Sequence, residues 1–258
     1  MANIHPTAIV SPSAILGDNV HIGAYSIVED NVTIGNNTKI GYHCVIGKRT
    51  TIGKNNKIYN SAILGTDPQD MKYNGELTTT IIGDNNIIRE FVTINNGTNE
   101  NKYTIVGNNN VLLSYVHIAH DNRIGNNIIM SNIVQLGGHV VVEDNAVIGG
   151  CAAVHQFCTV GKFAMIGAGA IITQDAPPFS LIDRVPKFSS INRTGLARNG
   201  FSEELRREIS NFYQLVFKSG YNNTAGIKAY LESNNGNIAP EIQYIIDFIN
   251  KSQRGVIR

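Results

Sequence analysis

Aliphatic residues recur at every sixth position through most of the chain. The series begins at Ile4 and, with two interruptions, continues to Ile172. Glycine often follows the aliphatic residue, and a small or β-branched residue often stands two positions before it. An α-helix would need a period near 3.6, and an amphipathic strand a period near 2. A sustained period of six with turn residues predicts a solenoid of short strands, three of which form one coil of about 18 residues.

Charged residues interrupt the period in two places. Asp70 and Glu76 occupy aliphatic positions in the first interruption, and Glu100 occupies one in the second. A charge cannot lie unpaired in an apolar interior without a large cost in free energy. We therefore predict two loops that leave the solenoid, at about residues 66–81 and 95–105. Loops on a rigid scaffold often carry binding residues.

The chain after the repeat follows a different pattern. The proline pair that ends at Pro178 closes the repeat, because proline cannot donate a hydrogen bond to a strand ladder. Helix-start signals then introduce three segments with apolar residues on one face, beginning at Ser202, Thr224 and Pro240. We predict a mainly β domain over residues 1–178, followed by a linker and a small α-helical domain over residues 179–258.

Composition excludes several classes of protein. A net charge of +1 argues against a nucleic-acid partner held by a strong basic field. No apolar run is long enough for a membrane span, and the N-terminus lacks the features of a signal peptide. The three cysteines fit no metal-ligand spacing. We expect a cytoplasmic protein.

Four histidines fall close together around the predicted coil. His117, His120, His139 and His155 all avoid the inward aliphatic positions and project from one corner, where both loops also leave. His139 follows Asp121 by 18 residues and is predicted to stack on it, one strand spacing away. The cluster is compatible with general-base catalysis by a histidine that a carboxylate holds. It is also compatible with a zinc site or with a binding edge for an anionic ligand.

Short motifs beyond the repeat resemble one family of acyltransferases. They are Asp67-Pro-Gln-Asp-Met-Lys-Tyr-Asn-Gly-Glu76, Ile118-Ala-His-Asp121, Leu136-Gly-Gly-His139, Val154-His-Gln-Phe-Cys158 and Ser252-Gln-Arg-Gly-Val-Ile-Arg258. Together with the repeat they resemble the UDP-N-acetylglucosamine O-acyltransferases, which begin lipid A synthesis, over essentially the whole chain. The resemblance implies a left-handed parallel β-helix and a homotrimer. It also implies transfer of a 3-hydroxyacyl group from acyl carrier protein to the 3-hydroxyl of UDP-N-acetylglucosamine, without a cofactor or a metal.

The same resemblance implies roles for individual residues. His120 matches the family's general base, Asp121 would orient it, and the backbone N–H of Gly138 would donate to the oxyanion. Ala168 would help to limit the length of the acyl chain. Substrate contacts are expected from Asp70, Lys72, His117, Gln135, His139, His155, Gln156, Asn192 and Arg198.

Two positions depart from the family pattern. Thr194 and Asn199 stand where the family has an acidic residue and a second basic residue, which leaves the uridine and phosphate contacts open. Acyl carrier protein is acidic, so a basic docking surface is expected. The candidates for this surface are Lys187, Arg193, Arg198, Arg206, Arg207 and Lys218.

Other functions compete with this hypothesis. A zinc-dependent hydratase of the carbonic anhydrase type uses the same β-helix and would bind zinc through His117, His139 or their neighbours. A carrier-binding protein without catalysis would not depend on His120. The related N-acyltransferase carries a separate domain before its β-helix and fits less well, because the repeat here begins at Ile4.

Overall fold

The computed structural model describes residues 1–99 and 103–258. Within these residues, short strands fill the first two thirds of the chain and helices the last quarter. The strands are β1 (Asn3–Ile4), β2 (Ile9–Val10), β3 (Ile15–Leu16), β4 (His21–Ile22), β5 (Ile27–Val28), β6 (Thr33–Ile34), β7 (Lys39–Ile40), β8 (Val45–Ile46), β9 (Thr51–Ile52), β10 (Lys57–Ile58), β11 (Ile63–Thr66), β12 (Thr79–Ile82), β13 (Ile87–Ile88), β14 (Thr93–Asn95), β15 (Tyr103–Val106), β16 (Val111–Leu112), β17 (His117–Ile118), β18 (Arg123–Ile124), β19 (Ile129–Met130), β20 (Gln135–Leu136), β21 (Val141–Val142), β22 (Val147–Ile148), β23 (Ala153–Val154), β24 (Thr159–Val160), β25 (Met165–Ile166), β26 (Ile171–Ile172), β27 (Ser180–Ile182) and β28 (Phe188–Ile191). The helices are α1 (Arg193–Arg198), α2 (Glu203–Lys218), α3 (Asn223–Ser233) and α4 (Pro240–Lys251).

Every third strand joins the same parallel sheet, which closes the chain into a three-sided β-helix. The three sides, called sheets A, B and C here, begin with β1, β2 and β3 respectively. Each strand pairs in parallel with the strand one coil later, as Asn3 pairs with His21. The predicted solenoid of three strands per coil is confirmed.

The period of six places one aliphatic residue of each strand inside. Ile22, Ile118 and Ile148 are fully buried members of these inward columns. Burying such a side chain contributes about 1.5–3 kcal/mol to folding. The corners explain the abundance of asparagine, because the turns place residues such as Asn37 (φ 60°) and Asn55 (φ 58°) in the left-handed region.

Both interruptions of the repeat leave the β-helix at the corner between sheets B and C. The first excursion covers residues 67–78, between the end of β11 and the start of β12. The second begins after β14, and the chain returns at β15. Glu100, which the sequence predicts to lie in this second loop, is outside the described residues.

Two helices begin where their sequence signals predict, and the helix predicted from Thr224 begins one residue earlier, at Asn223, with Asn222 as its N-cap. The Ser202 side chain accepts a hydrogen bond from the Leu205 N–H at the start of α2, and Pro240 occupies the first turn of α4. The segment after Pro178, for which the sequence indicated no regular element, forms β27, β28 and α1. These strands extend sheet A, where β27 pairs in parallel with β25 and antiparallel with β28. Among the described residues, no helix combines the length and the apolar character that crossing a membrane requires.

Candidate active site

The centre of the site is a histidine–aspartate pair at the corner between sheets B and C. His120 and Asp121 follow β17, and Asp121 has a left-handed backbone conformation with φ 59°. The Nδ1 atom of His120 lies 2.9 Å from Oδ2 of Asp121. His120 is 8% exposed, so only a small part of its ring is open to solvent or to a ligand.

Thr98, from the second excursion, holds the Asp121 carboxylate. Its hydroxyl donates to Oδ2 at 2.7 Å, and its backbone N–H lies 3.3 Å from Oδ1. Burial by itself would raise the pKa of Asp121, but the hydrogen bonds from His120 and Thr98 outweigh it and lower the pKa. Asp121 is therefore an ionised acceptor at neutral pH.

The ionised carboxylate decides which nitrogen of His120 carries the proton. A carboxylate only accepts hydrogen bonds, so Nδ1 of His120 must donate. In the neutral ring, Nε2 then carries the lone pair. This arrangement is the one that a general base requires, with the second nitrogen available to take a proton.

Gly138 leaves room for the reactive edge of His120. A Cβ atom at this position would lie 2.3 Å from Cε1 and 2.5 Å from Nε2 of His120. Any other residue would therefore collide with the ring. Within the described part of the chain, the N–H of Gly138 has no hydrogen-bond acceptor. A backbone donor thus lies beside the nitrogen that can act as a base.

His139 stacks over the aspartate, as the 18-residue spacing predicts. Its Nε2 atom lies 3.6 Å from Oδ2 of Asp121. Its ring meets the His120 ring edge-on, with centroids 5.2 Å apart, and stacks on Phe157 at 4.6 Å. One carboxylate is thus shared between two histidines on successive coils.

The first loop closes one side of a cleft over this pair. The cleft has a volume of about 430 Å³ and contains five of the predicted site residues. Its lining consists of Asp70, Lys72, Thr98, Asn99, His120, His139, Gln156 and Phe157. The N–H of Lys72 donates to Oδ1 of Asp70 at 2.9 Å, which fixes the two loop residues relative to each other.

His117 and Gln135 line a neighbouring depression on the outer face of sheet B. It has a volume of about 630 Å³, and Phe91, Tyr115 and Ile133 supply apolar walls. Nδ1 of His117 lies 2.7 Å from the Thr93 hydroxyl. Burial and the nearby His120 lower the pKa of His117, so this ring is neutral at neutral pH.

His155 is exposed and stands next to a residue of the cleft lining. It directly precedes Gln156, and its Nδ1 atom is 3.1 Å from Nη2 of Arg254 in the C-terminal tail. Arg254 was assigned no role from the sequence, although it belongs to the terminal motif. Thr98 was missed as well, because the second loop breaks the period on which positions around the coil were counted.

Three further predicted residues line neither the cleft nor the depression. The Asn192 side chain caps α1 by accepting from the Gly195 N–H at 3.0 Å and donates to the Phe163 carbonyl at 3.0 Å. Arg198 is exposed at the end of α1. Ala168 lies between β25 and β26, at the corner between sheets A and B.

The two histidines and the aspartate between them also meet the geometric condition for a metal site. Ligand atoms of His120, Asp121 and His139 all lie within 4.8 Å of one another. His117, which the zinc hypothesis included, is not in this group among the described residues, and its Nδ1 atom faces Thr93 instead.

Comparisons with known proteins agree with the fold. The three-sided β-helix and its six-residue repeat place the chain among the hexapeptide-repeat transferases. The model of the bacterial transferase hexapeptide repeat matches residues 13–48, and that of UDP-N-acetylglucosamine O-acyltransferase domain 2 matches residues 175–257. The chain belongs to the UDP-N-acetylglucosamine O-acyltransferase family.

Relatives that match over the full length of the chain support this assignment. An acyl-[acyl-carrier-protein]–UDP-N-acetylglucosamine O-acyltransferase from Alkalilimnicola ehrlichii is 47% identical over 260 residues, covering 100% of both chains. The enzyme of the same name from Thiobacillus denitrificans is 45% identical, again over 100% of both. A UDP-N-acetylglucosamine acyltransferase structure from Bacteroides fragilis superimposes with a TM-score of 0.95 at 43% identity, covering 98% of this chain and 99% of that one. The corresponding Francisella novicida structure has a TM-score of 0.92 at 38% identity, covering 99% and 94%.

These findings confirm the predicted family and the left-handed parallel β-helix. The relatives that match this chain over its whole length are named as acyltransferases. The zinc-dependent hydratase is therefore not favoured.

Proposed function

We propose that this chain transfers a 3-hydroxyacyl group from acyl carrier protein to the 3-hydroxyl of UDP-N-acetylglucosamine, as the first step of lipid A synthesis. The main support is the arrangement of His120, Asp121 and Gly138, in which the Nε2 edge of a histidine held by a carboxylate lies beside a glycine backbone. The names of the full-length relatives support the donor and the acceptor.

His120 would act as the general base. Its Nε2 atom takes the proton of the acceptor hydroxyl while the hydroxyl oxygen attacks the thioester carbonyl carbon. Asp121 stabilises the imidazolium that forms, through the 2.9 Å contact with Nδ1. The new C–O bond forms first. The C–S bond then breaks, and His120 returns the proton to the leaving thiol of the carrier.

The N–H of Gly138 would stabilise the tetrahedral intermediate. Negative charge develops on the former carbonyl oxygen, and a pre-oriented donor lowers its free energy. A thioester is an activated acyl group, so the proposal includes no covalent enzyme intermediate and no metal.

The nucleotide sugar would lie between the first loop and the β-helix. Lys72 offers a positive charge to the phosphates, and Asp70 offers a hydrogen-bond acceptor to the glucosamine hydroxyls. His139, His155 and Gln156 would complete this contact on the side of the β-helix.

We further propose that the functional protein is a homotrimer, working in the cytoplasm with acyl carrier protein. Exposed apolar side chains lie on sheet B and at the corner between sheets A and B. They include Tyr25, Phe91, Tyr115 and Ile133. Such a patch is typical of an interface between subunits. Asn192 and Arg198 could then reach the cleft of a neighbouring copy.

Light scattering after gel filtration should give three times the chain mass of 28.1 kDa, and a monomer mass would contradict the proposal.

The decisive experiment is an acyl-transfer assay with UDP-N-acetylglucosamine and a series of 3-hydroxyacyl carrier proteins. We expect His120→Gln to lower kcat by about 10²–10⁴-fold, because glutamine cannot take up the proton. His5→Gln, an exposed histidine outside the cleft, is the matched control and should keep the wild-type rate. Transfer that survives in His120→Gln would remove His120 as the base. A wild type that is inactive with every donor would refute the function.

A further inference from the structure

The C-terminal tail is anchored to the last coil of the β-helix through Asp175. The N–H of this buried residue donates to the Gly255 carbonyl at 2.8 Å, and its carbonyl accepts from the Ile257 N–H at 2.9 Å. Its carboxylate accepts from the Ser252 hydroxyl at 2.5 Å and from the Thr159 N–H at 2.7 Å. The chain is therefore held on both sides of Arg254.

This anchorage directs the Arg254 side chain to His155, which directly precedes Gln156 of the cleft lining. Its Nη2 atom lies 3.1 Å from Nδ1 of His155 and 3.3 Å from the Thr173 carbonyl oxygen. A guanidinium group has only donors, so Nδ1 of His155 must accept this hydrogen bond. The proton of the neutral ring then lies on Nε2.

Arg254 thereby selects one of two tautomers that the surroundings would allow. The Gln156 carbonyl oxygen is also 3.1 Å from Nδ1 of His155, and without Arg254 it could accept a hydrogen bond from Nδ1–H. Nε2 would then carry a lone pair instead of a proton. The two tautomers offer a ligand opposite hydrogen-bonding groups.

We infer that Arg254 is a positioning residue that orients His155 and keeps its Nε2–H available as a donor to the nucleotide sugar. The acceptor would be a phosphate or carbonyl oxygen of that substrate. This inference rests on the proposed function, in which His155 contacts the substrate. It assigns a role to the C-terminal tail, whose contact with His155 spans 99 residues of sequence.

Binding, more than stability, should depend on this contact. Arg254 and His155 are both exposed, and exposed pairs contribute little to the free energy of unfolding. A hydrogen-bond donor that meets the substrate equally in the ground state and the transition state changes KM and leaves kcat almost unaltered. The effect can therefore be separated from a general loss of structure.

The test compares KM for UDP-N-acetylglucosamine in wild type and Arg254→Gln. We expect KM to rise about fivefold to tenfold, with kcat within about twofold of wild type. Arg258→Gln is the matched control in the same tail, since Arg258 donates to the Val216 and Tyr221 carbonyls and lies over the Phe217 ring, and the KM of this variant should not change. Adding Arg254→Gln to His155→Gln should raise KM no further, because the two residues would act through one contact.

The outcomes separate the inference from the proposed function. A wild type without transfer activity overturns both. An active wild type combined with an unchanged KM in Arg254→Gln overturns the role of Arg254 alone. Equal increases in Arg254→Gln and Arg258→Gln would also overturn it, because they would indicate a loosened tail, and so would fully additive effects of the Arg254 and His155 variants.

Discussion

At the scale of single residues, the proposed chemistry depends on how one carboxylate is shared. Asp121 accepts hydrogen bonds from His120 and Thr98 and lies 3.6 Å from His139. These partners keep it ionised, and its charge keeps the proton of neutral His120 on Nδ1. Thr98 therefore belongs to the proposed catalytic arrangement through its contact with Asp121.

We expect Thr98→Val to reduce kcat about tenfold, because the Asp121 carboxylate loses its hydroxyl donor. The pKa of Asp121 should rise, since that hydrogen bond lowers it. Activity should then be lost at a higher pH as the solution is acidified, because a protonated Asp121 no longer holds His120. Rate–pH profiles measure this shift. Thr98→Ser keeps the hydroxyl and should resemble wild type, and a Thr98→Val profile equal to wild type would contradict the role.

Chelation tests the metal alternative at the same three residues. His120, Asp121 and His139 could hold a metal ion by geometry, but general-base transfer does not require one. We expect dialysis against a chelator to leave the transfer rate unchanged. A loss of activity that added zinc restores would support the metal hypothesis instead.

At the scale of elements, buried asparagines connect successive coils. Asn86 is fully buried, and its Oδ1 atom accepts from the Asn110 N–H at 2.9 Å. Its Nδ2 atom donates to the Gly107 carbonyl at 3.0 Å. An identical side chain on the coil before, Asn56, accepts from the Asn86 N–H at 2.9 Å. The corner between sheets C and A is therefore closed by an amide ladder.

Removing one member of this ladder should destabilise the β-helix. Asn86→Ala leaves the buried Asn110 N–H and the part-buried Gly107 carbonyl without their partner. Unpaired buried polar groups cost about 1–3 kcal/mol each, so the free energy of unfolding should fall by about 2–5 kcal/mol. Denaturant titration measures the change. Asn250→Ala, at an exposed position of α4, should stay close to wild type, and an equally stable Asn86→Ala would refute the ladder's importance.

At the scale of the whole molecule, the proposed function requires acyl carrier protein to bind near the cleft. The proposed carrier surface includes exposed basic residues such as Arg193 and Arg207, on the helical part of the chain. Opposite charges on two proteins mainly speed their association and set its salt dependence. The helical part would then serve docking, while the β-helix serves the reaction.

Reversing one charge on the proposed carrier surface tests whether the helical part serves docking. We expect Arg207→Glu to raise KM for acyl carrier protein about fivefold and to weaken the salt dependence of kcat/KM, with KM for UDP-N-acetylglucosamine unchanged. Lys251→Glu makes the same charge change at an exposed residue outside the proposed surface and should have a much smaller effect. Equal effects of both variants would point to net charge rather than to a docking surface.

The sequence by itself determined the β-helix and the corner that carries the site. Because the period of six leaves little freedom, His120, Asp121 and His139 could be assigned to one corner, and the stacking of His139 on Asp121 followed from 18 residues of spacing. The helix starts at Ser202 and Pro240 were equally visible, since capping is a local interaction.

Only the tertiary structure decided which side chains complete the site. Thr98 reaches Asp121 across 23 residues, and Arg254 reaches His155 across 99. Both lie in segments without a period, a loop and a tail, where the path of the chain depends on contacts with distant residues rather than on local pattern. The coils of the β-helix, and the position of each residue around them, could therefore be counted from the sequence. The residues that orient its histidines became visible only in the folded structure, where the loop and the tail pack against the β-helix.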